Sequence, residues 1–297
     1  MNLVGRNDRI AGCLLGGAIG DAWGSQFENR SLPFTADIDC GWGLTDDTQL
    51  TLSTCDAIVA AGCVDAERIA AEMARAFRAG ILVGLGASTY QALESLSAGG
   101  HWALVGRKGD RAAGNGAAMR IAPLAFRLDL GESRGRQLLR DVCRITHHND
   151  EAYSGGLAIA LAIQAACSEA WTGGPGLIAQ IARQLPNSAV RDRVAELALL
   201  DPGTPLQQVA ARFGNSGYAA ESVPLSLFAA QQAHGSDFIA WLRGVIELGG
   251  DTDTITSMAC QVVGCSLGIG RIPTQVIARV PELESVRARV EAFAELS

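Results

Sequence analysis

The sequence predicts an all-α fold, and three observations carry this prediction. Of its 297 residues, 48% are hydrophobic but only 5% are aromatic, and the dominance of Ala, Leu and Gly favours closely packed helices. Apolar residues recur at helical spacing in long stretches without proline. No stretch of useful length alternates apolar and polar residues as a strand does. No repeat and no persuasive boundary divides the chain, so we expect one domain over residues 1–297.

Caps, glycines and apolar periodicity set the predicted helices. Asp65 is typical of an N-terminal cap, whereas Gly62 and Gly80 are typical of helix ends. The predicted helices cover residues 9–24, 45–61, 65–78, 87–96, a short turn near 123, 133–144, 154–171, 188–200, 205–213, 221–234, 236–248, 253–268 and 282–296. A Gly- and Pro-rich break is expected at 172–187.

Glycine recurs every fourth residue in the first predicted helix, at Gly12, Gly16, Gly20 and Gly24. This spacing places the glycines on one face. In a membrane it would suggest helix pairing, but Arg9 and Asp21 interrupt the apolar run. We therefore expect close backbone contact with another helix inside a water-soluble core.

Charge, cysteine content and the N-terminal residues limit location and partners. A net charge of −7 argues against broad nucleic-acid binding, so a nucleic acid is expected only as a modified substrate. The eight cysteines form no CxxC pair, which suggests reduced core residues in a cytoplasmic protein. No signal-peptide pattern and no apolar run of about 20 residues occurs, so no membrane partner is expected. Oligomeric state cannot be read from the sequence.

Two acidic patches organise the chain. Residues 43–48 read Gly-Leu-Thr-Asp-Asp-Thr, and residues 249–254 read Gly-Gly-Asp-Thr-Asp-Thr. Each follows glycine and opens a long apolar helix. Asp and Thr are common helix caps, and capping is the simplest explanation of each residue alone. One cap per helix is enough, however, so four carboxylates at two helix starts need a further reason.

Carboxylates beside apolar helices are costly unless a cation neutralises them. Carboxylate and hydroxyl oxygens suit Mg²⁺, Mn²⁺ or Ca²⁺. We therefore predict that the two patches meet in space and hold one or two divalent cations.

Two glycine-rich segments, Gly84–Thr89 and Gly109–Arg120, precede helical stretches. Such loops let a backbone approach a ligand closely or hold a phosphate at a helix N-terminus, and a purely structural loop remains an equal alternative. The first segment lacks the third glycine of a dinucleotide fingerprint. Arg120 could pair with a phosphate or a buried carboxylate. In the run from Thr146 to Asp150, one histidine is expected at an active-site rim or as a cap.

Taken together and in order, these pieces resemble the ADP-ribosylglycohydrolase family. The matching residues are Gly16–Gly24 with Glu28, Thr45–Thr48, Gly114–Pro123, Thr146-His147 and Gly249–Thr254. Each piece is weak alone, but the set spans nearly the whole chain. The resemblance implies a compact orthogonal bundle of helices with a cleft holding two Mg²⁺ or Mn²⁺ ions.

The resemblance also implies roles for individual residues. The metal ligands would be Thr45, Asp46, Asp47, Asp251, Asp253 and Thr254. Glu28, Asp47 and Asp253 would be catalytic. The ADP-ribose pocket would be lined by Gly84, Gly86, Ser88, Thr89, Gly114, Asn115, Gly116, Met119 and His147.

The implied activity is hydrolysis of the bond between ADP-ribose and an acceptor on a protein or small-molecule conjugate, with ADP-ribosyl-arginine as the default. Some relatives have a substrate-contacting Asp where this chain has Gly84, which leaves the acceptor open. Two alternatives remain. One is an all-α, Mg²⁺-dependent enzyme acting on another diphosphate, although Asp46-Asp47 lacks the further Asp usual in prenyl-transfer enzymes. The other is a non-catalytic ADP-ribose-binding relative, against which the intact carboxylates argue.

Overall fold

Two antiparallel helices, α1 (Arg6–Gly24) and α14 (Thr252–Leu267), lie at the centre of the computed structural model, which describes residues 5–296. A β-carbon on any of the four glycines at positions 12, 16, 20 and 24 would lie 2.7 Å or less from a backbone oxygen of α14. The close contact predicted from the glycine spacing is therefore confirmed. It brings the C-terminal end of α1 beside the N-terminal end of α14.

The all-α prediction is confirmed: sixteen α-helices account for most of the described chain. The other helices are α2 (Asp46–Ala61), α3 (Ala66–Arg78), α4 (Ala87–Ser97), α5 (Trp102–Val105), α6 (Ala122–Ala125), α7 (Ser133–Arg144), α8 (Asp150–Cys167), α9 (Leu177–Ala182), α10 (Ala189–Leu197), α11 (Leu206–Phe213), α12 (Ala219–Gln232), α13 (Phe238–Ile246), α15 (Thr274–Ile277) and α16 (Leu283–Ala294). Two short parallel strands, β1 (Arg107–Lys108) and β2 (His147–His148), pair with each other.

Local capping explains where the helices begin and end. The Asp65 carboxylate accepts hydrogen bonds from the backbone N–H groups of Glu67 and Arg68, as predicted. Helix α8 begins at Asp150 rather than 154, because the Asn149 side chain caps it by accepting from the N–H groups of Glu151 and Ala152. Helix α9 lies inside the predicted break, and the two-residue strands are too short to show alternation.

One continuous hydrophobic core joins side chains from α1 through α16. This continuity supports the prediction of a single domain over residues 1–297, which otherwise stays a prediction. Among the helices of the described chain, none combines the length and the apolar character needed to cross a membrane.

The contact between α1 and α14 gives a first testable prediction. A β-carbon on Gly20 would lie 2.4 Å from the backbone oxygen of Thr256. To relieve this clash, the backbone of one of the two helices would have to shift, which costs free energy. We expect Gly20→Ala to lower the free energy of unfolding by about 2–3 kcal/mol, as overpacked cores do, measured by chemical denaturation. The matched control is Gly244→Ala in α13, where a β-carbon meets nothing within 4 Å. That variant should keep or raise stability, because Ala favours helix. Equal stability of the two variants would contradict the tight contact.

Candidate active site

A cavity of about 620 Å³ opens where several element ends meet. Its walls include the first residues of α2, α4 and α14, together with Glu28 just after α1. Helix N-termini carry partial positive charge and free N–H groups. The cavity can therefore attract anionic groups, even though many of its side chains are acidic.

None of the four aspartates in the two acidic patches caps its helix. Thr45 caps α2, since its hydroxyl oxygen accepts a hydrogen bond from the backbone N–H of Asp47 at 3.3 Å. Asp251 stands at the start of α14 but makes no side-chain cap. Capping, the simplest explanation of these carboxylates, therefore does not account for them.

The two patches, about two hundred residues apart in sequence, lie side by side. The Thr254 hydroxyl donates a hydrogen bond to the Asp47 carboxylate at 3.1 Å. One oxygen each of Glu28, Asp251 and Asp253 lies within 4.8 Å of the others. Asp46, Asp47, Asp253 and Thr254 are all buried and line the cavity. Five carboxylates thus surround one end of it.

Thr45, predicted as a metal ligand, does not line the cavity. Its hydroxyl donates to a carboxylate oxygen of Asp21 at 2.7 Å, while its oxygen accepts from the N–H of Asp47. The structure thus places Thr45 beneath the acidic patch. Its role as a ligand stays a prediction.

Asp21 is a residue that sequence reasoning passed over. It is fully buried in α1 and accepts hydrogen bonds from the backbone N–H and hydroxyl groups of both Thr45 and Thr48. These bonds fix the first turn of α2, and with it Asp46 and Asp47. The sequence did offer a signal: Asp21 is a single carboxylate among small residues that pack closely, so its side chain was not expected to face solvent.

The protonation of the acidic cluster reflects burial and mutual repulsion. Burial, followed by the charge of Asp21, raises the pKa of Asp46 to about 7. Burial and then the charge of Asp253 raise the pKa of Asp47 well above its usual range. Burial and then the charge of Asp251 do the same for Asp253. Partial burial and the charge of Asp251 raise the pKa of Glu28.

The donor set fits a hard divalent cation. One oxygen of Asp47 and one of Asp253 are buried without a hydrogen-bond partner, a costly arrangement for carboxylates. All donors are oxygens, which is the preference of Mg²⁺ and Mn²⁺. A cation would supply both the missing partner and the missing positive charge.

The predicted pocket residues all line the same cavity. They are Gly84, Gly86, Ser88, Thr89, Gly114, Asn115, Gly116, Met119 and His147. The Asn115 amide also donates to the Asp251 carboxylate at 2.5 Å and to the Ser222 hydroxyl at 3.0 Å. Asn115 therefore holds part of the acidic cluster as well as lining the wall.

Several lining residues were given no role by the sequence analysis: Asn29, Arg107, Arg111, Asn215, Ser216 and Gly217. Most lie in short loops that carry no periodic signal. The buried Arg120 guanidinium donates to the carbonyl of Gly116 and the hydroxyl of Thr146. Among the described residues it forms no ion pair with a carboxylate, and its pairing with a phosphate stays a prediction.

Fold and site together define a class: an all-α protein with an acidic, cation-compatible cavity walled by glycine-rich loops and helix N-termini. A sequence profile of the ADP-ribosylglycohydrolase family matches residues 3–297. The chain belongs to the ADP-ribosylglycohydrolase family. This confirms the resemblance found in the sequence, and membership supports activity as a hydrolase that removes ADP-ribose.

Individual relatives agree with this assignment. The ADP-ribosylarginine hydrolase Tri1 of Pseudomonas putida is 27% identical over 293 residues, covering 92% of this chain and 74% of that protein. The ADP-ribosylhydrolase ARH3 of Danio rerio is 27% identical, covering 89% of this chain and 84% of that protein. A solved structure described as an ADP-ribosylglycohydrolase-related protein complex has a TM-score of 0.72 and 27% identity, covering 99% of this chain and 100% of that one.

Proposed function

We propose that this protein hydrolyses the glycosidic bond between the anomeric carbon of ADP-ribose and an acceptor, with ADP-ribosyl-arginine on a protein as the preferred acceptor. The observation that carries the proposal is the meeting of Asp47 and Thr254 beside Glu28, Asp251 and Asp253 in one cavity. The similarity to a protein named ADP-ribosylarginine hydrolase supports the choice of acceptor.

We propose that two divalent cations, Mg²⁺ or Mn²⁺, are held by Asp46, Asp47, Asp251, Asp253 and Thr254, with Thr45 contributing directly or through Asp21. When bound, such cations would polarise the ribose hydroxyl groups and make a nearby water molecule more acidic. The unpartnered oxygens of Asp47 and Asp253 support this assignment.

The chain's own carboxylates carry the rest of the proposed reaction. Glu28 is exposed at the cavity and its pKa is raised, which suits a general base. It would accept a proton from water as the water oxygen bonds to the anomeric carbon. The bond to the acceptor nitrogen or oxygen breaks, and the proton that Glu28 accepted from water passes to the leaving acceptor. Asp47 and Asp253 would stabilise positive charge on the sugar in an oxocarbenium-like transition state.

Two arginines that line the cavity indicate where the diphosphate would bind. Arg107 and Arg111 line the cavity, and within the described residues neither side chain makes an ion pair or a hydrogen bond to the protein. Unpaired guanidinium groups in a ligand cavity suit phosphate oxygens. We propose that the distal ribose lies at the carboxylates and the diphosphate at these arginines.

The double variant Arg107→Ala, Arg111→Ala tests this orientation. We expect its affinity for ADP-ribose to fall about 30-fold, since hydrogen bonds to charged groups are among the stronger ones, while binding of Mg²⁺ alone stays unchanged. Isothermal titration calorimetry measures both. Arg134→Ala, an exposed arginine outside the cavity, is the matched control and should bind ADP-ribose normally. Undiminished affinity in the double variant would place the diphosphate elsewhere.

A release assay tests the proposed function itself. Peptides ADP-ribosylated on arginine or serine, and an ADP-ribosylated nucleic acid, would be incubated with the protein in Mg²⁺, Mn²⁺ or chelator. Free ADP-ribose would be measured by chromatography. We expect metal-dependent release that is fastest from arginine. Binding of ADP-ribose without release from any acceptor would favour a non-catalytic role, and release that is unaffected by chelator would contradict the cation site.

A further inference from the structure

A buried chain of three side chains lies behind the cavity wall. Arg120, Thr146 and His147 are only 1%, 0% and 3% exposed, respectively. An Arg120 guanidinium nitrogen donates to the Thr146 hydroxyl oxygen at 2.8 Å, and that oxygen lies 2.7 Å from Nδ1 of His147. Each member is thus in contact with the next, and the chain ends at the cavity.

The direction of these hydrogen bonds follows from what each group can donate. Arginine can only donate, so the Thr146 oxygen accepts from Arg120. The hydroxyl proton of Thr146 then needs an acceptor, and Nδ1 of His147 is the remaining partner. If Nδ1 carried a proton instead, two donors would point at the oxygen and a fully buried hydroxyl proton would stay unsatisfied, which is costly. His147 must therefore carry its ring proton on Nε2.

The Nε2 side of His147 faces the ligand space. Its ring packs against Gly114 and Gly116, where added β-carbons would lie 3.3 Å from Nε2. His147 lines the cavity. Its Nε2 makes no hydrogen bond within the described protein, yet this atom is not fully enclosed. Burial, then the charges of Arg120 and Arg107, lowers the pKa of His147 to about 3. The imidazole is thus neutral in physiological conditions.

We propose that Arg120 and Thr146 are positioning residues that hold His147 as the Nε2–H tautomer, so that it offers a fixed, neutral donor to a phosphate oxygen of bound ADP-ribose. The unpaired guanidinium of Arg107, whose backbone pairs with the His147 strand, supports an anionic partner. The tautomer stands on the hydrogen bonds alone, whereas the identity of the ligand rests on the proposed function. In the other tautomer, a nitrogen lone pair would face the phosphate oxygen and repel it.

Nitrogen NMR of protein labelled with ¹⁵N-histidine reads the tautomer directly, with His147→Phe used to assign the signal. We expect the wild-type protein to show a protonated Nε2 and an unprotonated Nδ1 for His147. Thr146→Val keeps the shape but removes the hydroxyl, so His147 should become a mixture of tautomers. Affinity for ADP-ribose should fall about 10-fold, while binding of Mg²⁺ alone is unchanged. Thr146→Ser restores the hydroxyl and should recover both the tautomer and the affinity.

A wild-type signal with the proton on Nδ1 would overturn the proposal, and so would a Thr146→Val protein with one tautomer and full affinity. Because the wild-type tautomer is measured without ligand, this result stands even if Thr146→Val does not fold. If the wild-type protein shows the Nε2–H tautomer but does not bind ADP-ribose, the proposed function fails and the role of Arg120 and Thr146 remains supported. If the wild-type protein and Thr146→Val bind ADP-ribose equally well, the proposed function stands and only the positioning role of Arg120 and Thr146 is overturned.

Discussion

Asp253→Asn is expected to lower the rate of ADP-ribose release by roughly 1,000-fold, the order of loss seen when one key electrostatic group is removed from an active site. Asp253 is buried at the start of α14, and one of its oxygens has no partner in the protein. The amide keeps the side chain's size but loses its negative charge. It can neither neutralise a cation nor stabilise positive charge on the sugar. The release assay with arginine-modified peptide measures the effect.

The matched control is Glu67→Gln. Glu67 is also an acidic residue in the first turn of a helix, α3, but it is exposed and outside the cavity. This variant should retain full activity. Thermal unfolding separates loss of function from loss of fold, since the Asp253→Asn protein is expected to fold normally. Metal-dependent turnover near the wild-type rate in Asp253→Asn, and likewise in Asp47→Ala, would refute the assigned metal centre.

The central helix pair could be predicted because its signal is local and regular. In α1, four glycines at a spacing of four residues form a helix face without side chains. Such a face indicates that another helix backbone packs closely against it. The two acidic patches were similarly visible, since each follows glycine at the start of an apolar helix. Their juxtaposition depends on how the helices pack. It was predicted from the cost of placing four carboxylates beside apolar helices without a cation, and the family resemblance supported it.

Other parts of the site could not be read from the sequence, because their roles depend on tertiary contacts. Arg120 was expected to pair with a phosphate or a carboxylate, yet its buried guanidinium donates to a carbonyl and a hydroxyl. Asp21 looked like an interruption of an apolar run, but it accepts four hydrogen bonds that fix α2. The loop at 215–217 is held at the cavity by backbone hydrogen bonds, from the N–H of Asn115 to the Gly217 carbonyl and from the N–H of Asp251 to the Asn215 carbonyl.

The raised carboxylate pKa values predict an unusual dependence of stability on pH. The folded-state pKa of Asp46 is about 7, and those of Asp47 and Asp253 are also raised, whereas unfolded aspartate titrates near 3.9. Between these values the folded protein binds more protons than the unfolded chain. These aspartates therefore make the free energy of unfolding fall as pH rises from about 4 towards 7. The buried His147, whose pKa is lowered to about 3, acts in the opposite direction, but it is one residue against three aspartates. This is the reverse of the usual contribution from paired carboxylates.

Divalent cations should cancel this loss. We expect the protein in chelator to unfold at a lower temperature at pH 7.5 than at pH 5.5, and saturating Mg²⁺ to raise the unfolding temperature mainly at pH 7.5. Binding at a concentration about 100-fold above the dissociation constant would add about 2.7 kcal/mol of stability. At pH 5.5 the cation must displace protons, so the same concentration should stabilise far less. Differential scanning calorimetry at both pH values, with and without Mg²⁺, measures all four states.

Asp47→Asn separates this explanation from a general effect of pH. One oxygen of Asp47 is buried without a partner and the other accepts from Thr254, so the amide removes repulsion while keeping the volume. In chelator at pH 7.5 the variant should be more stable than the wild-type protein, yet it should gain little from Mg²⁺. This result would show that repulsion among these carboxylates lowers the free energy of unfolding of the metal-free protein. Two results together would show that the carboxylates do not act together on a cation. The stability of the wild-type protein in chelator would rise between pH 5.5 and 7.5, and its response to Mg²⁺ would match that of Asp47→Asn.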